Sequence, residues 1–209
     1  MRINDADAIY LGGLADAVYM GSELVWSAYR ESTDVYVIAG SQSVVIPSWA
    51  KWARVVVLGG GGGGSGGDTA LNRNGKGGKA GRWNSGTLDL SGAPEMEIVV
   101  GAGGAAGPKN EVGTAGGASS VGVGSLMVSG AGGAAGVHAS ISGDTWGESP
   151  GNYTAFGQTF VGGGQANMNA AANPPGGGGG GGSGGFFGSG NAGNAGARGQ
   201  VWVFLYSSL

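Results

Sequence analysis

Residues that could perform acid–base or metal chemistry are sparse in this sequence. Two carboxylates, Asp144 and Glu148, lie four residues apart, and His138 is the single histidine. Paired carboxylates cleave a glycosidic bond only where the fold sets them at a suitable separation, and no nucleophile turn of the G-x-S-x-G kind accompanies the histidine. The chain has no cysteine, which excludes thiolate metal sites. We therefore predict no catalytic residue, no metal site and a non-enzymatic protein.

The glycine run at 59–64 formally satisfies the G-x-G-x-x-G fingerprint of dinucleotide-binding proteins. That motif works because a helix begins there and presents its N-terminus to the pyrophosphate. Here the run is followed by SGGDTALNRNGKGGKAG, which has no helical period. A P-loop is also excluded, because Lys76 and Lys79 are followed by glycine and alanine instead of serine or threonine. We predict that the protein binds no cofactor.

Charge gives little reason to expect a nucleic-acid or membrane partner. The formal net charge is −3, and the nearest approach to a basic cluster is Lys76, Lys79 and Arg82, which we expect to face solvent. Nucleic-acid binding would need a denser basic patch. No apolar run approaches the roughly 18 to 20 residues that span a bilayer, so no membrane insertion is predicted.

Polar and aromatic residues that interrupt the glycine runs are better candidates for function. Tyrosine and tryptophan among small polar residues are typical of adaptable recognition loops, and rigid scaffolds commonly present such loops. We predict binding loops at 82–87, 140–156 and 166–175, with these candidate residues: Trp83, Asn84, Asp144, Trp146, Glu148, Tyr153, Asn167 and Asn169. The alternative is that the aromatic residues only cap a glycine core, which we expect for Phe160, Phe186 and Phe187.

Glycine accounts for 52 of the 209 residues, and much of it is periodic. The heptapeptide GAGGAAG occurs at 101–107 and again at 130–136, and glycine recurs every third residue through 190–199. Three residues per turn is the period of the extended left-handed helix, whose backbone groups must pair with neighbouring chains. The low proline content excludes collagen. The heptapeptide is therefore predicted to be a strut in a bundle of such helices, with a glycine-lined turn and a disordered linker as alternatives.

Alternating β-branched sequence predicts strands in DVYVIAG, SVVIP, ARVVVLG, MEIVVG, SLMVSG and QVWVFLY, and no segment has a convincing helical period. The N-terminal stretch repeats ADAIYLGG at 6–13 as ADAVYMGS at 15–22, and each copy predicts a short strand. We predict a mostly β protein with a small N-terminal β segment at 1–33. A β-sandwich-like domain with glycine-rich loops or polyglycine II helices is predicted at 34–209.

Several glycine-containing stretches follow one another along the chain: VVIPSWAKWARVVVLGGGGGGSGG, EMEIVVGAGGAAG, GGASSVG followed by LMVSGAGGAAG, PPGGGGGGGSGG and GARGQVWVFLY. Together they span roughly residues 43–206 and resemble the glycine-rich domain of bacteriophage minor tail proteins. The N-terminal DAVYMGSELVW is similar to the segment that often begins such proteins. The scheme is more loosely similar to the adhesins at the tip of T-even tail fibres, in which polyglycine II helices stack and the segments between them bind the host.

The resemblance implies a virion protein of the phage tail, with 1–33 attaching it to other tail proteins. Its candidate loops would then recognise a host cell-envelope receptor or glycan. The alternative is a purely structural tail-assembly module without receptor contact. Because tail parts follow the symmetry of the tail, the resemblance also implies a homo-oligomer, with a trimer as the first expectation.

Overall fold

The structure is a computed structural model that describes residues 17–20, 23–27, 29–137 and 144–208. This part of the chain forms twelve strands and no helix, which confirms the predicted mostly β class. In the described ranges, then, no helix is present that could cross a bilayer.

The first sheet contains four antiparallel strands in the order β3-β12-β5-β6. Its strands are β3 (Glu31–Tyr36), β5 (Trp52–Leu58), β6 (Trp83–Asp89) and β12 (Gln200–Tyr206). β5 reads WARVVVL, and this run of β-branched residues suits a strand that is covered on both faces. β3 crosses the predicted domain boundary at 33/34, so residues 31–33 pair with β12.

The second sheet also contains four antiparallel strands, in the order β4-β7-β8-β9. Its strands are β4 (Gly40–Val45), β7 (Glu95–Val100), β8 (Ser119–Val123) and β9 (Leu126–Gly130). In β7, Met96, Ile98 and Val100 are buried, whereas Glu95 and Glu97 face outward. This alternation is expected of a strand with one face on the core.

The two sheets pack face to face and enclose the main hydrophobic core. Val55, Val57, Val201 and Val203 from the first sheet are buried with residues such as Ile98 from the second. Burial of one such side chain contributes about 1.5–3 kcal/mol relative to leaving it exposed. The predicted β-sandwich is therefore confirmed.

Two smaller hairpins accompany the sandwich. β1 (Ala17–Met20) pairs with β2 (Glu23–Ser27), as expected for the second copy of the N-terminal repeat, whereas the copy at 6–13 lies outside the described residues. β10 (Tyr153–Ala155) pairs with β11 (Gln158–Phe160). This second hairpin covers the outer face of the first sheet, where Val56, Phe160 and Phe204 are buried together.

A bundle of glycine-rich segments continues from one end of the sandwich, with segment 59–67 at its centre. This segment follows β5 directly, and every residue in it is buried. Its N–H groups donate in rotation to three antiparallel neighbours, over N···O distances of 2.8–3.2 Å. Gly59, Gly62 and Ser65 donate in turn to the carbonyls of Arg82, Lys79 and Lys76. Gly60, Gly63 and Gly66 donate in turn to those of Gly117, Thr114 and Glu111. Gly61, Gly64 and Gly67 donate in turn to those of Ala197, Asn194 and Asn191.

Carbonyl groups of the same central segment accept hydrogen bonds from three further segments that run parallel to it. The donors are Gly104, Gly107 and Asn110; Gly133 and Gly136; and Gly179 and Gly182. Each neighbour is therefore contacted at every third residue. This is the pairing required by an extended chain of three residues per turn, because such a chain makes no internal hydrogen bonds.

The GAGGAAG heptapeptides supply two of these parallel neighbours. In 101–107 the first, fourth and seventh residues are buried and the second and fifth are exposed, and 130–136 shows the same pattern. The buried face is glycine because no Cβ fits there: one added to Gly104 would lie 2.0 Å from the carbonyl oxygen of Thr114. Period-three glycine therefore marks the side of each segment that faces its neighbours.

Candidate functional site

Segment 144–148 is held along the flank of the bundle by its own backbone. Gly77 N donates to Asp144 O at 2.8 Å, and Gly181 N donates to Thr145 O at 2.8 Å. At Gly147 an added Cβ would lie 1.9 Å from the carbonyl oxygen of Gly178. The close contact explains the glycine between Trp146 and Glu148, and it fixes the backbone that carries both side chains.

This segment forms one wall of a cleft of about 360 Å³, called here the Trp146 cleft. Its lining residues are Lys79, Asp144, Thr145, Trp146, Glu148 and Gln165. The Trp146 side chain is 57% exposed even though its backbone is bonded to the bundle. Three predicted site residues, Asp144, Trp146 and Glu148, are thus brought together.

Charges of both signs surround the Trp146 cleft. Lys76 Nζ lies 3.9 Å from Asp144 Oδ2, and the Asp144 side chain is 72% exposed. Glu148 Oε2 accepts a hydrogen bond from Ala80 N at 3.3 Å, which orients the carboxylate along the cleft wall. The lining offers carboxylate acceptors, an ammonium donor from Lys79 and an amide from Gln165.

Two lining residues of the cleft, Lys79 and Gln165, are not among the site residues predicted from the sequence. Lys79 was expected to face solvent, and it is exposed as predicted, but it lies at the rim of the cleft. Gln165 sits just outside the predicted loop 166–175. It reaches the cleft because the neighbouring Ala166 pairs with Gly147, a contact between distant parts of the chain that no local pattern indicates.

The predicted loop at 82–87 is wrong, because residues 83–89 form strand β6. Trp83 stacks on Tyr153 at a centroid distance of 5.4 Å and on Trp202 at 5.5 Å. Trp83 Nε1 donates to Pro150 O at 3.1 Å. Tyr153 is likewise in strand β10 instead of the predicted loop 140–156, of which residues 140–143 lie outside the described ranges. Stacking of the Trp83 and Tyr153 rings therefore packs the β10–β11 hairpin against the first sheet.

The asparagines of the predicted site make structural hydrogen bonds, one in strand β6 and two in the loop at 166–175. Asn84, in β6, donates from Nδ2 to Ser129 O at 2.8 Å and so joins the two sheets. Asn169 adopts a positive φ of 60°, and its Oδ1 accepts from Ser183 N at 2.8 Å. Asn167 is exposed, and its carbonyl accepts from Ala170 N in a turn. None of the three lines the Trp146 cleft.

The phenylalanines expected to cap the glycine core differ in their environments. Phe160 is buried, but it packs against the outer face of the first sheet instead of the glycine bundle. Phe186 is 53% exposed, and Phe187 is fully exposed with a φ of 49°. The capping prediction is therefore wrong for Phe160, which packs on the sheet. It is also wrong for Phe187, which projects from the turn between two glycine segments.

Replacing Tyr153 with phenylalanine is expected to lower the free energy of unfolding by about 0.5–1.5 kcal/mol, because it removes one hydrogen bond of a partly buried hydroxyl. The Tyr153 hydroxyl lies 3.0 Å from Ser85 Oγ. Urea denaturation followed by tryptophan fluorescence would measure the change. Trp146→Phe is the control and is expected to stay within about 0.5 kcal/mol of wild type. Equal losses in both variants would contradict the contribution of the Tyr153 hydroxyl to stability.

Residues 36–206 match the family described as Glycine-rich domain. The chain belongs to this glycine-rich domain family. The matched range contains most of the sandwich, the whole glycine bundle and the Trp146 cleft.

Relatives of this glycine-rich chain are encoded by bacteriophages. It is 38% identical over 205 residues to the Gene 32 protein of Mycobacterium phage L5, covering 90% of this chain and 88% of that protein. It is 32% identical over 201 residues to the Gene 32 protein of Mycobacterium phage D29, covering 90% of each chain. The protein is thus a phage-type glycine-rich protein.

Proposed function

We propose that this protein is a non-enzymatic component of the phage tail that contacts the host cell envelope through the Trp146 cleft. The observation that carries the proposal is a half-exposed tryptophan beside two carboxylates and a lysine, on a backbone bonded to the glycine bundle. Exposed aromatic residues on rigid supports are common anchors in recognition surfaces. The phage origin of its relatives supports a role in the particle.

In this proposal the glycine segments are polyglycine II helices, and their function is mechanical. Every N–H group of the central segment and most of its carbonyl groups are hydrogen-bonded to neighbouring segments, so the bundle has little freedom to bend. A recognition surface that is already ordered loses less entropy on binding. Segment 1–33 would attach the domain to other tail proteins, in a homo-oligomer for which a trimer is the first expectation.

Phage particles carrying Trp146→Ala test the proposal. Adsorption to host cells is expected to slow by about tenfold or more, because truncating a tryptophan anchor typically costs at least 1–2 kcal/mol of binding. The matched control is Phe187→Ala, which removes an even more exposed aromatic ring outside the cleft and should leave adsorption unchanged.

Gold-labelled antibody against residues 34–209 would locate the protein on the same particles. Tail labelling with unchanged adsorption of the Trp146→Ala phage would favour a purely structural tail module. Particles without label would contradict the virion proposal as a whole.

A further inference from the structure

We propose that the ligand of the Trp146 cleft is an uncharged carbohydrate, an inference that rests on the proposed function. A sugar ring offers a flat face of C–H groups and a rim of hydroxyl groups. The cleft has a counterpart to each: an indole ring that is 57% exposed, and several polar side chains around it. A volume of about 360 Å³ is within the range of small-molecule sites.

The polar lining is suited to hydroxyl groups, because each hydroxyl can both donate and accept hydrogen bonds. The carboxylates of Asp144 and Glu148 only accept, the ammonium group of Lys79 only donates, and the Gln165 amide does both. Glu148 is oriented by its bond from Ala80 N. Such a mixed set can satisfy a polyhydroxylated ligand on several sides.

Charge balance argues for a neutral ligand. Among the residues that the structure describes, the charged groups at the cleft are the carboxylates of Asp144 and Glu148 and the ammonium groups of Lys79 and the nearby Lys76. Their formal charges cancel, and Asp144 lies 3.9 Å from Lys76, so neither an anion nor a cation meets an excess of opposite charge. Binding of a neutral sugar to this set should depend little on ionic strength, because no counterions are displaced.

The wall of the cleft is rigid, unlike a binding surface made of mobile loops. Four backbone hydrogen bonds hold its main wall to the bundle: Gly77 N donates to Asp144 O, Gly181 N to Thr145 O, Gly178 N to Glu148 O, and Glu148 N to Gly78 O. The wall therefore has a fixed shape before a ligand arrives. A fixed shape allows weak individual sugar contacts to add up, because little ordering entropy is lost.

Binding of the purified full chain to cell-envelope fragments tests the ligand class, with a Mycobacterium host as the source because the relatives infect that genus. Fragments are left untreated, oxidised with periodate, which cleaves vicinal diols of sugars, or digested with proteinase K.

Periodate treatment is expected to lower the bound fraction of the wild-type chain by about tenfold or more. The Trp146→Ala substitution is expected to lower the bound fraction on untreated fragments by a similar factor. Protease treatment, and a rise from about 50 to about 500 mM sodium chloride, should change binding by less than about twofold.

Each other outcome overturns a specific statement. Loss of binding after protease but not after periodate would show a protein ligand, which overturns the carbohydrate inference and leaves host recognition standing. If periodate abolished binding but the Trp146→Ala variant bound as well as the matched control Phe187→Ala, the sugar would bind outside the cleft. Loss of binding at high salt would overturn the neutral character of the ligand. Failure of the wild-type chain to bind untreated fragments would instead contradict the proposed function itself.

Discussion

Replacing Gly62 with alanine is expected to lower the free energy of unfolding by about 3 kcal/mol or more, at the upper end of the range for overpacking a tight interior. The added Cβ would lie 2.0 Å from the carbonyl oxygen of Ala134 and 2.5 Å from its carbonyl carbon. Both obstructing atoms belong to the backbone, so no side-chain rotation can relieve the clash. Gly62 cannot move away either, because its N–H donates to Lys79 O and its carbonyl accepts from Gly179 N.

Thermal unfolding would measure this effect as a fall in Tm of about 6–12 °C for a chain of this size. The matched control is Gly164→Ala, because there the nearest atom to an added Cβ is Asn173 Nδ2 at 3.9 Å. That variant should match wild type or gain up to about 1 kcal/mol, since alanine restricts the unfolded chain. Equal Tm values for the two variants would contradict the close packing of the bundle.

Replacing Ser119 with alanine is expected to cost about 1–3 kcal/mol, because it leaves buried backbone groups without a partner. Ser119 is fully buried. Its hydroxyl donates to Leu58 O at 2.7 Å and accepts from Gly101 N at 2.9 Å. These two residues lie where β5 and β7 continue into glycine segments, so one hydroxyl joins the two sheets at the start of the bundle.

Urea denaturation of the Ser119→Ala variant would measure the loss. Ser125→Ala is a suitable control, because Ser125 is exposed in the turn between β8 and β9, and its replacement should stay within about 0.5 kcal/mol of wild type. If both variants unfolded at the same urea concentration as wild type, the junction would not depend on the Ser119 hydroxyl.

The strands show which parts of the fold were predictable. β5, β7 and β12 were predicted because runs such as ARVVVL and QVWVFLY carry β-branched and aromatic residues. β6 and β8 were not predicted, because WNSGTLD and SSVGV contain glycine, serine and asparagine, which have weak strand preference. β6 is a strand because all seven of its residues pair with β5, and no local pattern contains that pairing.

The candidate site was predictable to the same limited degree. Trp146 and Tyr153 have similar polar surroundings in the sequence, and both were predicted to bind a receptor. Trp146 is exposed because its segment lies on the outside of the bundle, whereas Tyr153 is covered because its hairpin folds onto Trp83 and the first sheet. The local amino-acid composition indicated which residue types are suited to recognition, but it did not show which of these side chains are exposed and which are packed.

The sequence by itself determined the period of the glycine segments and the buried side of each one. This is possible because glycine is required at single positions, namely those where another backbone passes too close for a Cβ. A glycine in these segments therefore indicates a close backbone contact at that position. Only the tertiary structure decided which segments become neighbours, and which of the aromatic residues between them remain exposed. Exposure depends on what packs against a side chain from distant parts of the chain, as Ala166 beside Gly147 and Tyr153 on Trp83 demonstrate.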